Sequence, residues 1–199
     1  MKLDAQRRPY RMAARATKAA ATGERILDAA VEAFWDQPSD QLRLDDVARR
    51  AGVSVQTVIR RFGGKDGLLA AAVERESARV RRERDPSAVM DSTAAIGQLT
   101  KHYEAMGDRV LRMLVEEVRL PALRAIADRG RRMHRDWCAQ VFASTLVRLT
   151  GVEHERRLAQ IVAVCDVYTW KLLRRDAGLS RRQTELALLE LLDPLLEAP

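Results

Sequence analysis

The sequence predicts an all-α protein of about nine helices, in which an N-terminal three-helix helix-turn-helix domain precedes a C-terminal helical bundle. Apolar residues recur three and four positions apart in long segments of the 199-residue chain, which is the spacing of one helix face. From Asp91 onward no convincing strand pattern interrupts these segments. Gly52, Gly151 and Gly178 follow three of them, at positions where glycine commonly ends a helix.

The chain begins with a basic segment. Residues 1–20 hold six lysine or arginine residues and one acid, so we expect a flexible basic N-terminal arm. Such an arm either enters the minor groove of DNA or is a solvated tail without a role, and the sequence leaves both open. The first firm helix is predicted over residues 22–35, where Ile26, Ala30, Ala33 and Phe34 share a face, and a proline-containing turn at residues 37–40 ends it.

Residues 44–68 predict a helix-turn-helix that is followed at once by a further helix. The first short helix covers residues 44–51 and ends at Gly52, and the Ser54 hydroxyl can cap the second helix. Small apolar residues would let the two helices pack at a steep angle, namely Val47, Ala48, Ala51, Val53, Val58 and Phe62. We therefore place a helix-turn-helix DNA-binding domain at residues 21–66.

The second of these helices begins with polar and basic residues, as expected of a helix that lies in a DNA groove. Val55, Gln56 and Thr57 are predicted to approach the bases, and Gln56 can pair with adenine. Phosphate contacts are expected from Thr57, Arg60, Arg61 and Lys65. The full predicted DNA-binding set is Arg43, Ser54, Val55, Gln56, Thr57, Arg60, Arg61 and Lys65.

This segment resembles the signature of TetR/AcrR-type bacterial transcriptional regulators. Residues 52–69, GVSVQTVIRRFGGKDGLL, contain its helix-turn-helix, aromatic residue, small loop, lysine and Leu-Leu pair, and residues 25–35, RILDAAVEAFW, resemble its first helix. Ile59 stands where that family commonly has tyrosine, and Arg43 stands where it commonly has a capping threonine. More of the phosphate contact is therefore expected from Arg60, Arg61 and Lys65.

The resemblance implies a homodimeric regulator, most often a repressor, that binds a palindromic double-stranded DNA operator and is released by a small, mostly apolar effector. The alternative is a small-molecule binding or carrier protein whose helix-turn-helix no longer binds DNA. The charge distribution favours nucleic acid at the first half, since residues 1–89 carry 18 basic and 13 acidic side chains against 17 and 15 in residues 90–199. An excess of basic residues in the first half would also be found if this charge only kept the protein soluble.

After the helix-turn-helix, a helix over residues 66–84 is predicted to connect two domains, with the connector placed at residues 67–86. The C-terminal ligand-binding and dimerisation domain then covers residues 87–199. Its helices are predicted over residues 91–106, 108–118, 121–149, 153–176 and 180–197. Ser180 and Gln183 have the spacing of a capping box at the start of the last helix.

The last two predicted helices carry apolar stripes that suit partner helices. One stripe is Leu158, Ile161, Cys165, Tyr168 and Leu172, and the other is Leu186, Leu189, Leu192 and Leu196. In TetR-like proteins the last two helices of each subunit form a four-helix dimer interface, and this pair resembles that arrangement. A wholly intramolecular bundle is the alternative.

Aromatic residues, methionines and a few polar side chains are concentrated in the C-terminal domain. Such residues line adaptable pockets between helices, although they equally fill an ordinary helical core. We predict a pocket for a mostly apolar effector, which the family resemblance also implies. Its candidate residues are His102, Tyr103, Met106, Met113, Met133, Trp137, Cys138, Phe142 and Trp170.

The sequence gives no support to an enzyme, a cofactor or a metal site. The three histidines are scattered over separate helices, and no phosphate-binding loop or nucleophile elbow is present. Two cysteines are too few for a disulfide framework, and no apolar run of about 18 residues predicts a membrane span. No secretory signal is recognised at the N-terminus, so a cytoplasmic protein with reduced thiols is expected.

Overall fold

The computed structural model describes residues 3–37, 41–89 and 91–197, with side chains from residue 17 onward. Within these ranges the chain forms helices and no strand, which confirms the predicted all-α class. The α-helices are α1 Leu3–Asp36, α2 Leu44–Ala51, α3 Val55–Phe62, α4 Lys65–Glu83, α5 Ser92–Glu116, α6 Pro121–Val141, α7 Ala143–Leu146, α8 Gly151–Val164, α9 Val167–Lys171 and α10 Arg181–Leu196. A short 3-10 helix, Pro86–Ala88, follows α4, and a π-helical turn, Leu172–Asp176, continues α9. Across the described ranges, no helix is long and apolar enough to cross a membrane.

The chain divides into two compact units, Met1–Glu76 and Ser77–Pro199. The division lies within α4, so this helix begins in the first unit and ends in the second. The sequence predicted a connecting helix at residues 67–86, and the division falls inside that segment.

The first unit is built on one apolar core, in which α1 packs on α2 and α2 packs on α3. The buried residues of this core are Ile26, Leu27, Ala29, Ala30, Ala33, Leu42, Val47, Ala48, Ala51, Val58, Leu68 and Ala72. Val58 is fully buried and holds α3 against the core. Gly52 ends α2 with φ 65°, in the left-handed region that glycine adopts without strain, as the sequence predicted.

Helix α1 begins much earlier than the sequence predicted. Its first turn is at Leu3, so residues 3–20, which the sequence indicated as a mobile or only partly helical arm, form the N-terminal part of a helix. The physical reason is composition: residues 13–21 hold six alanines, and alanine has the highest helix propensity. The predicted turn at residues 38–40 lies outside the described residues, and α1 ends just before it at Asp36.

The second unit has a larger core in which α5 packs on α6, α9 and α10, and α8 packs on α6 and α10. Its buried residues are Ala95, Ile96, Leu99, Tyr103, Trp137, Cys138, Phe142, Leu146, Leu158, Ile161, Cys165, Val167, Trp170, Leu188 and Leu192. Ser180 caps α10 in a capping box with Gln183, which confirms the predicted start of the last helix.

Helix α5 is one helix, although the sequence predicted two that met near residue 107. Gly107 lies inside it because Trp170 packs directly on its backbone, and a Cβ at this position would lie 2.5 Å from the Trp170 ring. This glycine therefore provides room for an aromatic ring and does not end a helix.

Two helices that the sequence predicted as continuous are interrupted. The predicted helix over residues 121–149 breaks at Phe142, between α6 and α7. The predicted helix over residues 153–176 breaks at Cys165, where α8 ends, and the Asp166 carboxylate accepts a hydrogen bond from the Tyr168 N–H to cap α9. An aspartate inside an apolar pattern was the only sequence signal for this second break.

Candidate functional site

Helix α3 of the first unit has a regular cap and a polar outer face. The Ser54 Oγ accepts a hydrogen bond from the Thr57 N–H at 3.2 Å and shares a second one with the Thr57 hydroxyl at 2.9 Å, which confirms the predicted cap. Gln56, Arg60 and Arg61 are exposed, and Thr57 is half-buried. The exposed side chains of α3 thus include one amide and two guanidinium groups.

The remaining predicted DNA-binding residues lie near α3 and differ in how far their side chains are exposed. Val55 is half-buried and packs against the core of the first unit, so its methyl groups are only partly available to a base. Lys65 is half-buried at the start of α4. Arg43 precedes α2 without capping it and lies 3.8 Å from Asp45, with its side chain 78% exposed. Ile59 is exposed on α3 and presents an apolar side chain there.

A basic cavity opens between α1 and α3. It has a volume of about 640 Å³ and is lined by Lys18, Ala19, Thr22, Thr57, Arg60 and Arg61. The Arg61 guanidinium lies directly on Gly23 of α1, where a Cβ would be 2.3 Å from Nη2. Lys18 and Thr22 stand one turn apart on α1, and the Thr22 hydroxyl donates to the Lys18 carbonyl at 2.9 Å. The cavity therefore combines three cations and two hydroxyl groups on two helices of the same unit.

Sequence reasoning missed Lys18 and Thr22 as neighbours of α3. Lys18 was assigned to a flexible arm, so its position could not be related to the helix-turn-helix. The signal was present in the alanine-rich composition of this segment, because a continuous helix places residues 18 and 22 on one face.

The second unit contains a buried polar cluster around Arg84, which lies just after α4. Arg84 Nη2 donates a hydrogen bond to His134 Nδ1 at 3.0 Å, and its guanidinium carbon lies 4.4 Å from the centre of the Trp137 ring. The other imidazole nitrogen, Nε2, lies 3.8 Å from the Cys138 Sγ and 3.4 Å from the Val162 carbonyl. The imidazole thus joins the guanidinium to a thiol.

Burial shifts the pKa values of several groups in this unit. Desolvation, followed by the charge of Arg84, lowers the pKa of His102 to about 4, so this imidazole is neutral at pH 7. Burial also raises the pKa of Tyr103, whose hydroxyl donates to the Cys165 carbonyl at 3.0 Å. A hydrogen bond with Cys165 lowers the pKa of the Cys138 thiol, and the same bond together with burial raises the pKa of Cys165.

The structure brings most of the predicted ligand-binding residues together. The ring centroids of His102 and Tyr103 lie 5.8 Å apart, as do those of Tyr103 and Trp170, and the centroids of Trp137 and Phe142 lie 6.4 Å apart. Five of the set are buried in the core of the second unit, namely Tyr103, Trp137, Cys138, Phe142 and Trp170. The other four, His102, Met106, Met113 and Met133, are half-buried.

Sequence reasoning missed Arg84 and His134 in this cluster. Arg84 ends a strongly charged segment that is typical of a solvated helix face, and nothing in the sequence marks it as buried. His134 stands four residues before Cys138 on α6, and this spacing was the available signal. In the described part of the chain, no three His, Cys, Asp or Glu side chains are grouped as metal ligands.

Four of the nine residues of the predicted dimer interface belong to the core of the second unit. Leu158, Ile161, Cys165 and Leu192 are buried in this core, where side chains of their own unit cover them. Each apolar stripe serves two purposes. Part of it packs against other helices of the same chain, and only the remaining residues are exposed to a partner. Leu189 and Leu196 are half-buried, whereas Tyr168, Leu172 and Leu186 are 51%, 59% and 50% exposed.

Comparison with known proteins identifies the helix-turn-helix. The family model of bacterial regulatory proteins of the tetR family matches residues 26–72. An HTH-type transcriptional regulator of Mycobacterium tuberculosis (strain ATCC 25618 / H37Rv) is 38% identical over 72 residues, a match that covers 36% of this chain and 35% of the relative. The chain therefore matches about a third of the length of this curated relative.

Solved structures share the fold over most of the chain. A member of the TetR family from Streptomyces coelicolor A3 superposes with a TM-score of 0.58 at 19% identity, covering 85% of this chain and 97% of that one. The transcriptional regulator FadR from Bacillus subtilis, solved in complex with stearoyl-CoA, gives a TM-score of 0.62 at 19% identity, covering 88% and 98%. At this identity the likeness concerns the fold.

Proposed function

We propose that this chain, whose N-terminal unit belongs to the tetR family of bacterial regulatory proteins, is a cytoplasmic, ligand-responsive, DNA-binding transcriptional regulator. In this proposal a homodimer binds a palindromic operator as a repressor, and a small-molecule effector releases it. The observation that carries the proposal is the outer face of α3, where Gln56, Arg60 and Arg61 are exposed beside a cavity lined by cations.

DNA recognition would use α3 in the major groove. Gln56 is exposed near the start of the helix and can make two hydrogen bonds to adenine. Arg60, Arg61 and Lys18 line the cavity between α1 and α3, and their charges suit backbone phosphates, which fix the register of a protein on the duplex. The Thr57 hydroxyl is occupied by the cap, so we assign Thr57 to positioning α3 as well as to phosphate contact.

Dimerisation is supported by the exposed apolar residues of the last helices. Tyr168, Leu172, Leu186 and Leu191 remain between 46% and 59% exposed after the second unit has packed its own core. Large apolar side chains grouped on the final elements of a chain are typical of a protein interface. A symmetric dimer would present two copies of α3 to the two half-sites of a palindrome.

Effector binding is supported by buried polar atoms of the second unit that have no hydrogen-bond partner among the described residues. These atoms include Arg84 Nε, His102 Nδ1, Trp137 Nε1 and Trp170 Nε1, and the same unit also contains Gln98 Oε1 and Glu117 Oε2. Buried polar atoms are normally satisfied, so a set of this kind in one apolar region suits a ligand with hydrogen-bonding groups. FadR, which shares the fold, was solved in complex with stearoyl-CoA, and this makes a ligand a reasonable expectation here.

The test is to select bound sites from random duplex DNA with the full chain and to measure their affinity by fluorescence anisotropy at several salt concentrations. We expect nanomolar binding to a two-fold symmetric site, with an affinity that falls steeply as salt rises. Absence of salt-dependent binding to any duplex would favour a carrier protein whose helix-turn-helix no longer binds DNA. A reporter gene placed behind the selected site would then distinguish a repressor from an activator.

A further inference from the structure

We propose that the effector carries an anionic group, such as a carboxylate, and that Arg84 binds it inside the second unit. The proposal rests on the effector binding proposed above and adds to it the chemical class of the ligand and the residue that selects this class. It identifies an amphipathic anion, with an apolar body against aromatic side chains and its charged end at the guanidinium.

Arg84 is buried to a degree that is unusual for a charged residue. It is only 8% exposed, and it is the one arginine that is buried in the part of the chain described by the structure. A guanidinium remains charged at all physiological pH values, so it cannot escape the cost of burial by losing its proton. Such a group is stable in an interior only when an anion or a set of acceptors compensates for the lost water.

The partners of Arg84 are uncharged groups. The side chain donates to His134 Nδ1 and stacks on Trp137, and its Nε atom has no partner among the described residues. A nitrogen that accepts a hydrogen bond belongs to a neutral imidazole, and an aromatic ring is also neutral. Neither partner balances the charge of the guanidinium.

Other arginines of the second unit show what is missing. Arg174 Nε donates to the Glu104 carboxylate at 2.7 Å, and Arg175 forms two 3.0 Å hydrogen bonds to Asp108. Both arginines are less buried than Arg84, yet each has a carboxylate partner. Among the described residues, no carboxylate forms an ion pair with Arg84, so this most buried arginine lacks the anionic partner that Arg174 and Arg175 have.

No acidic group among the described residues lies in contact with the Arg84 guanidinium. Glu83 is adjacent in the chain, but its carboxylate lies 3.9 Å from His102 Nδ1 and is 47% exposed. The Cys138 thiol lies on the far side of the His134 ring, at Nε2, whereas Arg84 binds the Nδ1 side. An external anion at Arg84 would also find the buried His102 and Trp137 nitrogen atoms, which lack hydrogen-bond partners among the described residues of the same unit.

The chemical class of the ligand follows from the Arg84 guanidinium, which is charged, and from the aromatic side chains near it, which are apolar. A guanidinium binds a carboxylate through paired hydrogen bonds, and sulfate or phosphate esters share this chemistry. Tyr103, Trp137 and Trp170 belong to the buried core of this unit, and the proposal places the apolar body of the ligand against these rings. A neutral ligand of the same shape would leave the buried cation uncompensated, so we expect strong discrimination against it.

The test uses the full chain without DNA and measures binding by calorimetry. The probes are straight-chain carboxylates from hexanoate to tetradecanoate, naphthoates, and the alcohol that corresponds to each acid. The binding variant is Arg84→Met, which keeps most of the side-chain volume and removes the charge. Arg84→Lys retains the charge, and Arg132→Met removes an exposed charge from α6 as the matched control.

We expect at least one carboxylate to bind the wild type about tenfold or more tightly than its alcohol. Arg84→Met should lose this preference, Arg84→Lys should keep part of it, and Arg132→Met should keep all of it. The unfolding temperature of Arg84→Met should be equal to or above that of the wild type, because an apolar residue replaces an uncompensated buried charge.

Three results would overturn the proposal: no carboxylate binds, an alcohol binds as tightly as its acid, or Arg84→Met binds the acid as the wild type does. A large fall in the unfolding temperature of Arg84→Met would also count against it, since His134 and Trp137 would then suffice as partners. DNA binding is measured separately. If the chain binds no DNA but binds a carboxylate through Arg84, the proposed regulator fails while this inference stands.

Discussion

The two units of this chain use arginine in opposite ways. In the first unit Arg60 and Arg61 are exposed beside a cavity, whereas in the second unit Arg84 is buried against an aromatic ring. Exposed cations remain hydrated, so they lower the stability of the fold very little. Several of them together attract a polyanion such as DNA, and salt screens this attraction. A buried cation is costly and nearly insensitive to salt, so it suits the recognition of one ligand. Substitutions in the two regions should therefore affect different properties.

The largest expected effect is on stability, in the core of the second unit. Trp170 is fully buried, lies on Gly107 and carries the Arg175 guanidinium 4.5 Å from its ring centre. Trp170→Ala should lower the free energy of unfolding by about 3–5 kcal/mol, because it removes a large side chain and leaves a cavity. Urea unfolding followed by circular dichroism measures this value.

The matched control is Val147→Ala, since Val147 is 78% exposed. Its substitution should change the free energy of unfolding by less than about 0.5 kcal/mol. If Trp170→Ala cost no more than this control, the Trp170 ring would not be a packing element of the core.

The next effect is a pH dependence that belongs to the second unit. Burial, followed by the charges of Arg84 and Arg79, lowers the pKa of His102 from 6.5 to about 4, and Glu83 is the acid that faces it. The unfolded chain therefore binds more protons than the folded chain between these two pH values, so stability rises with pH across this window and is lost as pH falls through it. We expect a loss of roughly 2–3 kcal/mol from pH 7 to pH 4.

Unfolding measured at a series of pH values tests this prediction. His102→Gln should flatten the dependence between pH 4 and 6.5, whereas His154→Gln serves as the control because His154 lies on a different helix and is only half-buried. An equal slope in the wild type and in His102→Gln would show that other groups carry the dependence.

The two units also differ in how much of their structure the sequence could predict. Ser54, Gly52 and the capping box of Ser180 act within one or two turns, so the helix boundaries that depend on them were predictable. Gly107 and Arg84 have roles that are set by residues far away in the chain, Trp170 and His134, and local patterns do not contain such contacts. The candidate DNA-binding face was therefore largely predictable, whereas the arginine cluster was not.

The covered and uncovered residues of the last helices could be predicted only in part for the same reason. A stripe of apolar residues shows that a helix has an apolar face, but it does not show how much of that face the chain covers itself. Ile161 belongs to the predicted stripe, yet it is fully buried in the core of its own chain. Only the structure separates it from exposed residues such as Leu186.

A smaller effect is expected at the exposed residues of the last helices. Leu186→Glu places a charge in the proposed dimer interface, where burial of an unpaired carboxylate is unfavourable. The dimer dissociation constant should rise by about a hundredfold, roughly 2–3 kcal/mol, while the helix content of each chain is unchanged. Analytical ultracentrifugation over a range of concentrations measures it, with Leu186→Met as the control. A dimer of undiminished stability would place the interface elsewhere.

The smallest effect should come from a single cation of the first unit. Lys18 lines the cavity between α1 and α3, so Lys18→Ala should weaken operator binding by about 1 kcal/mol and lower the salt slope by about one unit. All DNA sequences should be affected alike, because a phosphate contact carries no sequence information. Lys101→Ala removes an exposed lysine from α5 and should leave both quantities unchanged. An unaltered salt slope in Lys18→Ala would exclude α1 from the DNA interface. The interface would then be restricted to α3, and Arg60 and Arg61 would have to make its phosphate contacts.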